Sequence, residues 1–291
     1  MEPLFTMATK FFTLLFVFTA AAYIGVAAPV REIVAVLQER TLMMKILLAN
    51  ILIVPVLGLV LVSVLPLSGG VKAAIMLLAF APGGMNALQF ITRVRGELSF
   101  ASAVLFVLTV VSLVLTPLAA SVFLSGGTLV EIPYGRIILA SAGFVFLPLA
   151  AGLAVRTYVP ALGKTAARPL NLISTVAFVL ATVLSASMKR EAMRGIGPEG
   201  VLAMLALIAG SMAIGWLSGG PETGRKRVLA NTTSCRNAAL CLVIALGVPD
   251  HTAVLAILVY LLLTVPANML FTLYGMLRDR RRMRPRSSPV E

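Results

Sequence analysis

The sequence predicts an all-α membrane protein of nine spans, two of them discontinuous, and three observations carry that reading. Hydrophobic residues make up 59% of the 291 positions and charged residues only 12%, with a mean hydropathy of +1.01, far more apolar than a soluble domain. Apolar runs of about 20 residues, the length that crosses a bilayer as a helix, follow one another between short charged loops. The alternation of a lipid-facing barrel is missing, and helices are the other structure that satisfies its own backbone in lipid.

Each span has its own justification. Phe11–Ala28 has the lone cation Lys10, an apolar centre and small residues near its end, as a cleaved signal peptide does. Cleavage would leave Pro29 outside and put Arg31, Arg40 and Lys45 on the wrong face, so the segment is read as a retained first helix. Thr41–Leu65 follows, carrying Asn50 and Pro55. Val71–Thr92 is broken by Ala81-Pro82-Gly83-Gly84-Met85-Asn86, where proline removes a donor and the glycines permit backbone angles a helix cannot use. Leu98–Leu124 bears Thr109, Ser112 and Thr116 on one face, small hydroxyls of the kind that knit helices together. Ile137–Val155, Pro169–Met188 and Gly200–Leu217 are plain apolar runs. Val228–Leu246 is broken by Asn231-Thr232-Thr233-Ser234-Cys235-Arg236-Asn237, and Thr252–Leu277 completes the set.

Nine spans put the termini on opposite sides, and the excess of Lys and Arg in cytoplasmic loops chooses the side. With the C-terminus inside, the inner loops hold 17 of the 24 basic residues, including Arg225, Lys226, Arg227 and six arginines from Arg278 to Arg286. The outer loops hold six: Lys10, Lys72, Arg136, Lys189, Arg190 and Arg194. The remaining one is Arg236. The reading is therefore a multi-pass protein of the cell (inner) membrane, N-terminus outside and C-terminus cytoplasmic. The net charge of +13 is mostly an inner-surface property, and the basic tail after the last helix reads as an anchor on anionic lipid rather than a nucleic-acid site. Cys235 and Cys241 lie in one span, which implies neither a disulfide framework nor a zinc site.

Arg236 is the only charged side chain well inside an apolar segment. An arginine near mid-bilayer costs roughly 2.5–3.5 kcal/mol on insertion scales, so it faces a cavity, a partner or a ligand. Interrupted helices at corresponding positions of two halves point to a transporter's binding site, and these two run in opposite directions through the membrane. A half-helix that begins near the midplane offers free N–H groups and a partial positive charge to an anion. Gly84, Met85 and Asn86 at one break, and Ser234 to Asn237 at the other, are placed to line one cavity. Arg236 adds a full charge and a two-pronged donor fork suited to a carboxylate, phosphate or sulfonate. The competing structural role is an Arg236 that satisfies free carbonyls at the break, with Thr232, Thr233 and Ser234 capping the half-helix. Asn86 and Gln89 share a face of the second half-helix and are further lining candidates. His251 beside Asp250 reads as a solvated loop histidine.

Ala81-Pro82-Gly83-Gly84, then Arg95-Gly96 and Leu115-Thr116-Pro117, closely resembles the first crossover helix and its successor in the bile acid:sodium symporter family. Arg236-Asn237-Ala238-Ala239-Leu240 resembles that family's second crossover, and the resemblance runs from about Thr41 to Phe271. It implies two inverted five-helix repeats, or nine helices when the first is missing, as the short N-terminal segment suggests. The repeats would be 11–124, lacking its first helix, and 137–277, forming a core that carries the crossovers and a panel against which it moves. The family's substrates are organic anions.

By position, the resemblance implies that Asn237 and Asn268 face the substrate and that Asn50 is the amide on the helix before the first crossover. The sodium ligands are where the chain departs. The family's acidic ligand falls at Thr232 and its glutamine at Arg236; the serine and asparagine after the glycine turn fall at Ala87 and Leu88; the hydroxyls on the next helix fall at Ala101 and Leu105. All eleven acidic residues lie in predicted loops or tails, so none remains in the membrane to bind sodium or relay a proton. A fixed guanidinium would also repel sodium by about 4 kcal/mol at about 4 Å and an effective dielectric of 20.

The expected function is therefore secondary transport of a small or amphipathic organic anion by alternating access, independent of sodium, with Arg236 replacing the coupling cation. The expected partners are the anion and the bilayer, with no cofactor, no nucleic acid and no metal; Asn50, Thr232 and Arg236 would be vestigial sodium positions. One alternative retains sodium symport through backbone carbonyls and the hydroxyls of Thr232 and Thr233. Another is a sensor or scaffold that kept the fold and lost transport. An arsenite carrier is disfavoured because the cysteine and carboxylate expected of that branch are missing. An enzyme is disfavoured because no nucleophile–base pair shares a membrane depth.

Overall fold

The computed structural model describes residues 2–84, 86–91, 98–123, 134–188, 190–246 and 251–283. Every regular element among them is helical. In chain order these are α1 (Glu2–Ala27), α2 (Val30–Gln38), α3 (Arg40–Leu48), α4 (Val54–Val64), α5 (Gly69–Ala79), α6 (Ala87–Ile91) and α7 (Leu98–Phe123). Then follow α8 (Tyr134–Ser141), α9 (Leu147–Tyr158), α10 (Pro160–Met188), α11 (Arg190–Ser218), α12 (Thr223–Ser234), α13 (Ala238–Leu246) and α14 (His251–Met283).

Among the described residues, eight stretches are long and apolar enough to cross a membrane, and the shorter apolar helix Gly69–Ala79 stands where the sequence places its first interrupted span. Their boundaries differ from the hydropathy reading at several ends. Residues 30–38, expected as a loop, form α2, which buries Ile33 and Val36, exposes Arg31 and leaves Glu32 half-buried. The helix α10 starts at Pro160 rather than Pro169, because Lys164 and Arg168 do not stop a helix even where they end its apolar stretch. Inside α11 the chain leaves helical angles at Gly197, just before Pro198, and the candidate membrane span is Arg194–Ser218, opening ahead of the expected Gly200.

Two wide helical turns join shorter helices into single spans. Ala49–Ile53 links α3 to α4 and Ala142–Phe146 links α8 to α9. Pro55 and Pro148 follow within two residues; a proline has no N–H for the preceding turn, and the chain widens there instead of closing the usual bond. The first wide turn holds Asn50, fully buried.

Packing divides the helices into two groups. In one, α1 lies along α10 and α9. Gly25 and Gly152 let α1 and α9 touch backbone to backbone: a Cβ on Gly25 would stand 2.2 Å from the Leu149 carbonyl and one on Gly152 2.4 Å from that of Ala22. In the other group, α12 lies along α11, while α14 packs on α11, α5 and α13. The groups meet where α1 crosses α13. The span Thr223–Leu246 is 100% buried over its apolar window, against 28–50% for the other seven, so the polar break it contains is kept entirely from lipid.

Candidate functional site

Helix breaks leave backbone donors and acceptors without partners, and in an apolar interior each must find one. Here the two breaks satisfy each other. Asn237 donates its backbone N–H to the Ala81 carbonyl at 2.7 Å, and Gly84 donates to the Cys235 carbonyl at 2.8 Å. Such proximity admits no side chain at the contact. A Cβ on Gly84 would lie 2.2 Å from the Arg236 carbonyl oxygen, and one on Gly83 would lie 2.6 Å from the Thr109 nitrogen. Gly83 also has φ of +92°, which disfavours any residue with a Cβ.

The neighbouring helices hold this junction through hydroxyls. On α7, the Thr109 hydroxyl lies 2.7 Å from the Leu105 carbonyl of its own helix and 3.1 Å from that of Gly83, so its proton is shared between them; Thr116 donates to the Phe80 carbonyl at 3.1 Å, while Ser112 accepts from the Asn237 amide at 3.0 Å. The three residues expected to knit helices do so. The Asn237 side-chain oxygen Oδ1 accepts from the Leu240 N–H at 3.2 Å, capping the start of α13. On α14, Tyr260 donates to the Ser234 carbonyl at 2.8 Å, and Ser234 donates to the side-chain oxygen of Asn268 at 2.9 Å. Tyr260 was not among the sequence candidates. A phenol within an aliphatic span is nonetheless a signal, since its O–H requires a buried partner.

Arg236 is 1% exposed and makes four hydrogen bonds. Its Nε donates to the Leu78 carbonyl at 2.9 Å, Nη2 to that of Ala79 at 2.6 Å, and Nη1 to Asn50 Oδ1 at 2.7 Å and to the Thr233 carbonyl at 3.2 Å. All four acceptors are neutral oxygens. Leu78 and Ala79 are among the last four residues of α5, and Thr233 among those of α12, so two helix C-termini with their partial negative charge converge on one cation. Asn50 is oriented by its own amide, which donates to the Ile46 carbonyl at 3.0 Å and to Thr233 Oγ1 at 3.3 Å. The donor fork expected to face a ligand is thus closed around carbonyls in this conformation, for the reason the structural alternative supplies: broken helices expose acceptors, and an arginine satisfies several at once.

A small hollow of about 20 Å³ adjoins the junction. Arg236, Asn237, Asn86 and Thr109 line one side, and Ala20, Ala21 and Ile24 of α1 line the other. It has room for about one water molecule and nothing larger. Gly84 lies at the junction itself, whereas Thr232, Thr233, Ser234 and Asn268 are buried behind it; Thr232 donates to the Leu229 carbonyl at 3.3 Å. Ala87, Leu88, Ala101 and Leu105 are buried apolar contacts. Met85, Asp250 and the side chains of Gln89 and His251 lie outside the described residues.

Residues 13–195 match the model of the sodium bile acid symporter family. A curated relative, the probable sodium/metabolite cotransporter BASS2 of chloroplasts from Oryza sativa subsp. japonica, is 27% identical over 177 residues, covering 59% of this chain and 41% of that protein. The chain thus spans about two fifths of the relative's length. The family match ends before the second break, so Arg236 and Asn237 lie beyond it.

Proposed function

The chain belongs to the sodium bile acid symporter family, and from that premise we propose that it is a secondary transporter of an organic anion in which the Arg236 guanidinium occupies the place of a coupling cation. It is an integral, multi-pass membrane protein of a transport family. The proposal adds nine spans in two inverted repeats, with α5–α6 and α12–α13 as the two interrupted helices, and independence from sodium at this centre.

One observation carries the reading: four neutral oxygens from three elements surround a single fixed positive charge. Helix C-termini and unwound carbonyls are what a transporter of this architecture offers to sodium. Here a side chain satisfies them permanently. Sodium entering the same cage would meet a repulsion of about 4 kcal/mol at about 4 Å and an effective dielectric of 20. The charge also lies next to the start of α13, whose partial positive end favours an anion. An organic acid at the hollow would then meet Asn237, Asn86 and the field of Arg236 rather than its donor fork.

The present hollow is too small for such a substrate. Binding therefore requires α1 to withdraw from the junction, and α1 belongs to the group formed with α9 and α10. Relative movement of the two groups gives alternating access.

A second reading, sodium-coupled symport, is favoured by the family and by the relative's name, and would use oxygens other than those Arg236 holds. Thermal-shift measurements on purified protein, against a panel of organic acids as sodium or choline salts, separate the two. The proposal expects stabilisation by some carboxylates in either salt, lost in Arg236→Gln. Stabilisation confined to sodium salts supports symport. Saturable counterflow of a labelled acid distinguishes either carrier from a scaffold that does not transport.

A further inference from the structure

A cavity separate from the helix junction lies at the basic end of the bundle. It has a volume of about 580 Å³, and its walls are the turn from α2 into α3 on one side and the loop from α11 into α12 on the other. Both walls open membrane spans, Arg40–Val64 and Thr223–Leu246, so the cavity sits at the rim where helices enter the bilayer.

Its charges are unevenly matched. Arg225 forms ion pairs with Glu39, at 3.1 Å for the longer of its two bonds, and with Glu222 at 3.2 Å, and its guanidinium lies 5.2 Å from the centre of the Phe100 ring. Arg40 and Lys45 also line the cavity and have no carboxylate partner among the described residues. Thr41 adds a hydroxyl between them. Three cations against two carboxylates leave a net positive charge in a concave site of small-molecule size.

The surface above the cavity is apolar. Met44, Leu48 and Leu52 are 68%, 52% and 54% exposed and recur every four residues up the same span. Eight residues of helix rise about 12 Å, so the strip gives an acyl chain a continuous track. A soluble anion would have no use for it.

We infer that this cavity binds the headgroup of an anionic phospholipid, with the phosphate against Arg40 and Lys45 and the acyl chains along Met44, Leu48 and Leu52. Basic pockets between membrane helices recognise such headgroups, and anionic lipid gains from each cation near the surface. The site is linked to the transport machinery by position, because Arg225, in its wall, opens the helix that ends at the junction.

The test titrates the full chain, purified in mild detergent, with phosphatidylglycerol or phosphatidylcholine and reads retained lipid by native mass spectrometry. Phosphatidylglycerol should bind about 10- to 30-fold more tightly, the advantage expected from two cations. The Arg40→Gln, Lys45→Gln double variant should lose that preference, whereas Glu39→Gln, which removes a competing carboxylate, should strengthen it. Equal retention of the two lipids overturns the inference, as does a Glu39→Gln variant with unchanged or weaker retention. A monodisperse double variant that keeps the preference does so too. Displacement of phosphatidylglycerol by millimolar inorganic phosphate assigns the cavity to free anions instead.

Discussion

Replacing Arg236 by alanine should convert its cage into a sodium site. The substitution removes four hydrogen bonds from a fully buried cation and leaves the carbonyls of Leu78, Ala79 and Thr233 and the Asn50 side-chain oxygen facing a vacancy. Leaving a buried neutral acceptor unpaired costs about 1–3 kcal/mol, and with four acceptors exposed to the vacancy but the cation's own burial cost removed, the net loss is about 3–5 kcal/mol. At roughly 2–4 °C per kcal/mol for a chain of this size class, Tm falls by about 6–20 °C. Sodium can fill an oxygen-lined space that choline cannot, and at one hundred times its Kd a ligand returns about 2.7 kcal/mol, or about 5–10 °C. The single tryptophan, Trp216, stacked edge-on against Phe271 with ring centres 5.9 Å apart, reports unfolding by fluorescence. The reasoning fails if the variant melts like the wild type, if sodium and choline chloride affect it equally, or if the wild type gains as much from sodium as the variant does.

Asn50→Asp sets a carboxylate against the guanidinium and neutralises its charge without emptying the cage. At about 8 Å and an effective dielectric of 20 that charge contributes roughly 2 kcal/mol to a bound anion, so carboxylate affinity should fall about 30-fold with Tm little changed; unaltered affinity in titration calorimetry would show that the charge has no part in binding. Gly84→Ala drives a Cβ to 2.2 Å from the Arg236 carbonyl and should cost about 3 kcal/mol or more by overpacking, abolishing counterflow; a variant with normal counterflow would mean the two breaks need not touch. Thr109→Val removes a hydroxyl shared between the Leu105 and Gly83 carbonyls and should lower stability by about 1 kcal/mol, measured by thermal melting; no change would mean the contact with Gly83 is dispensable.

The architecture was legible where its causes are local. Pro82, Gly83 and Gly84 marked where α5 ends, since the proline lacks a donor and the glycines favour angles outside the helix, and the seven polar or thiol residues from Asn231 to Asn237 marked where α12 gives way to α13. Asn50 was singled out by the family resemblance, Asn237 by the polar run and that resemblance, and the α7 hydroxyls by sharing a face of an apolar helix; each has a hydrogen-bond partner. What the sequence concealed is where Arg236 points. Its acceptors are mainly backbone carbonyls, and since every residue carries one, neither Leu78 nor Ala79 looks different from any other apolar position. The wide turn at Asn50 escaped notice for a related reason, since Pro55 signals a missing hydrogen bond but not the direction in which the helix relaxes. The helix α2 was missed because nine amphipathic residues give too short a period to stand out from a charged loop.

Sodium flux measured alongside the anion tests the claim about Arg236 most directly. In proteoliposomes loaded with a labelled organic acid that stabilises the protein, radioactive sodium should not accompany the acid, and the transport rate should be the same in choline. A fixed ratio of sodium to acid carried by the wild-type protein would contradict the account.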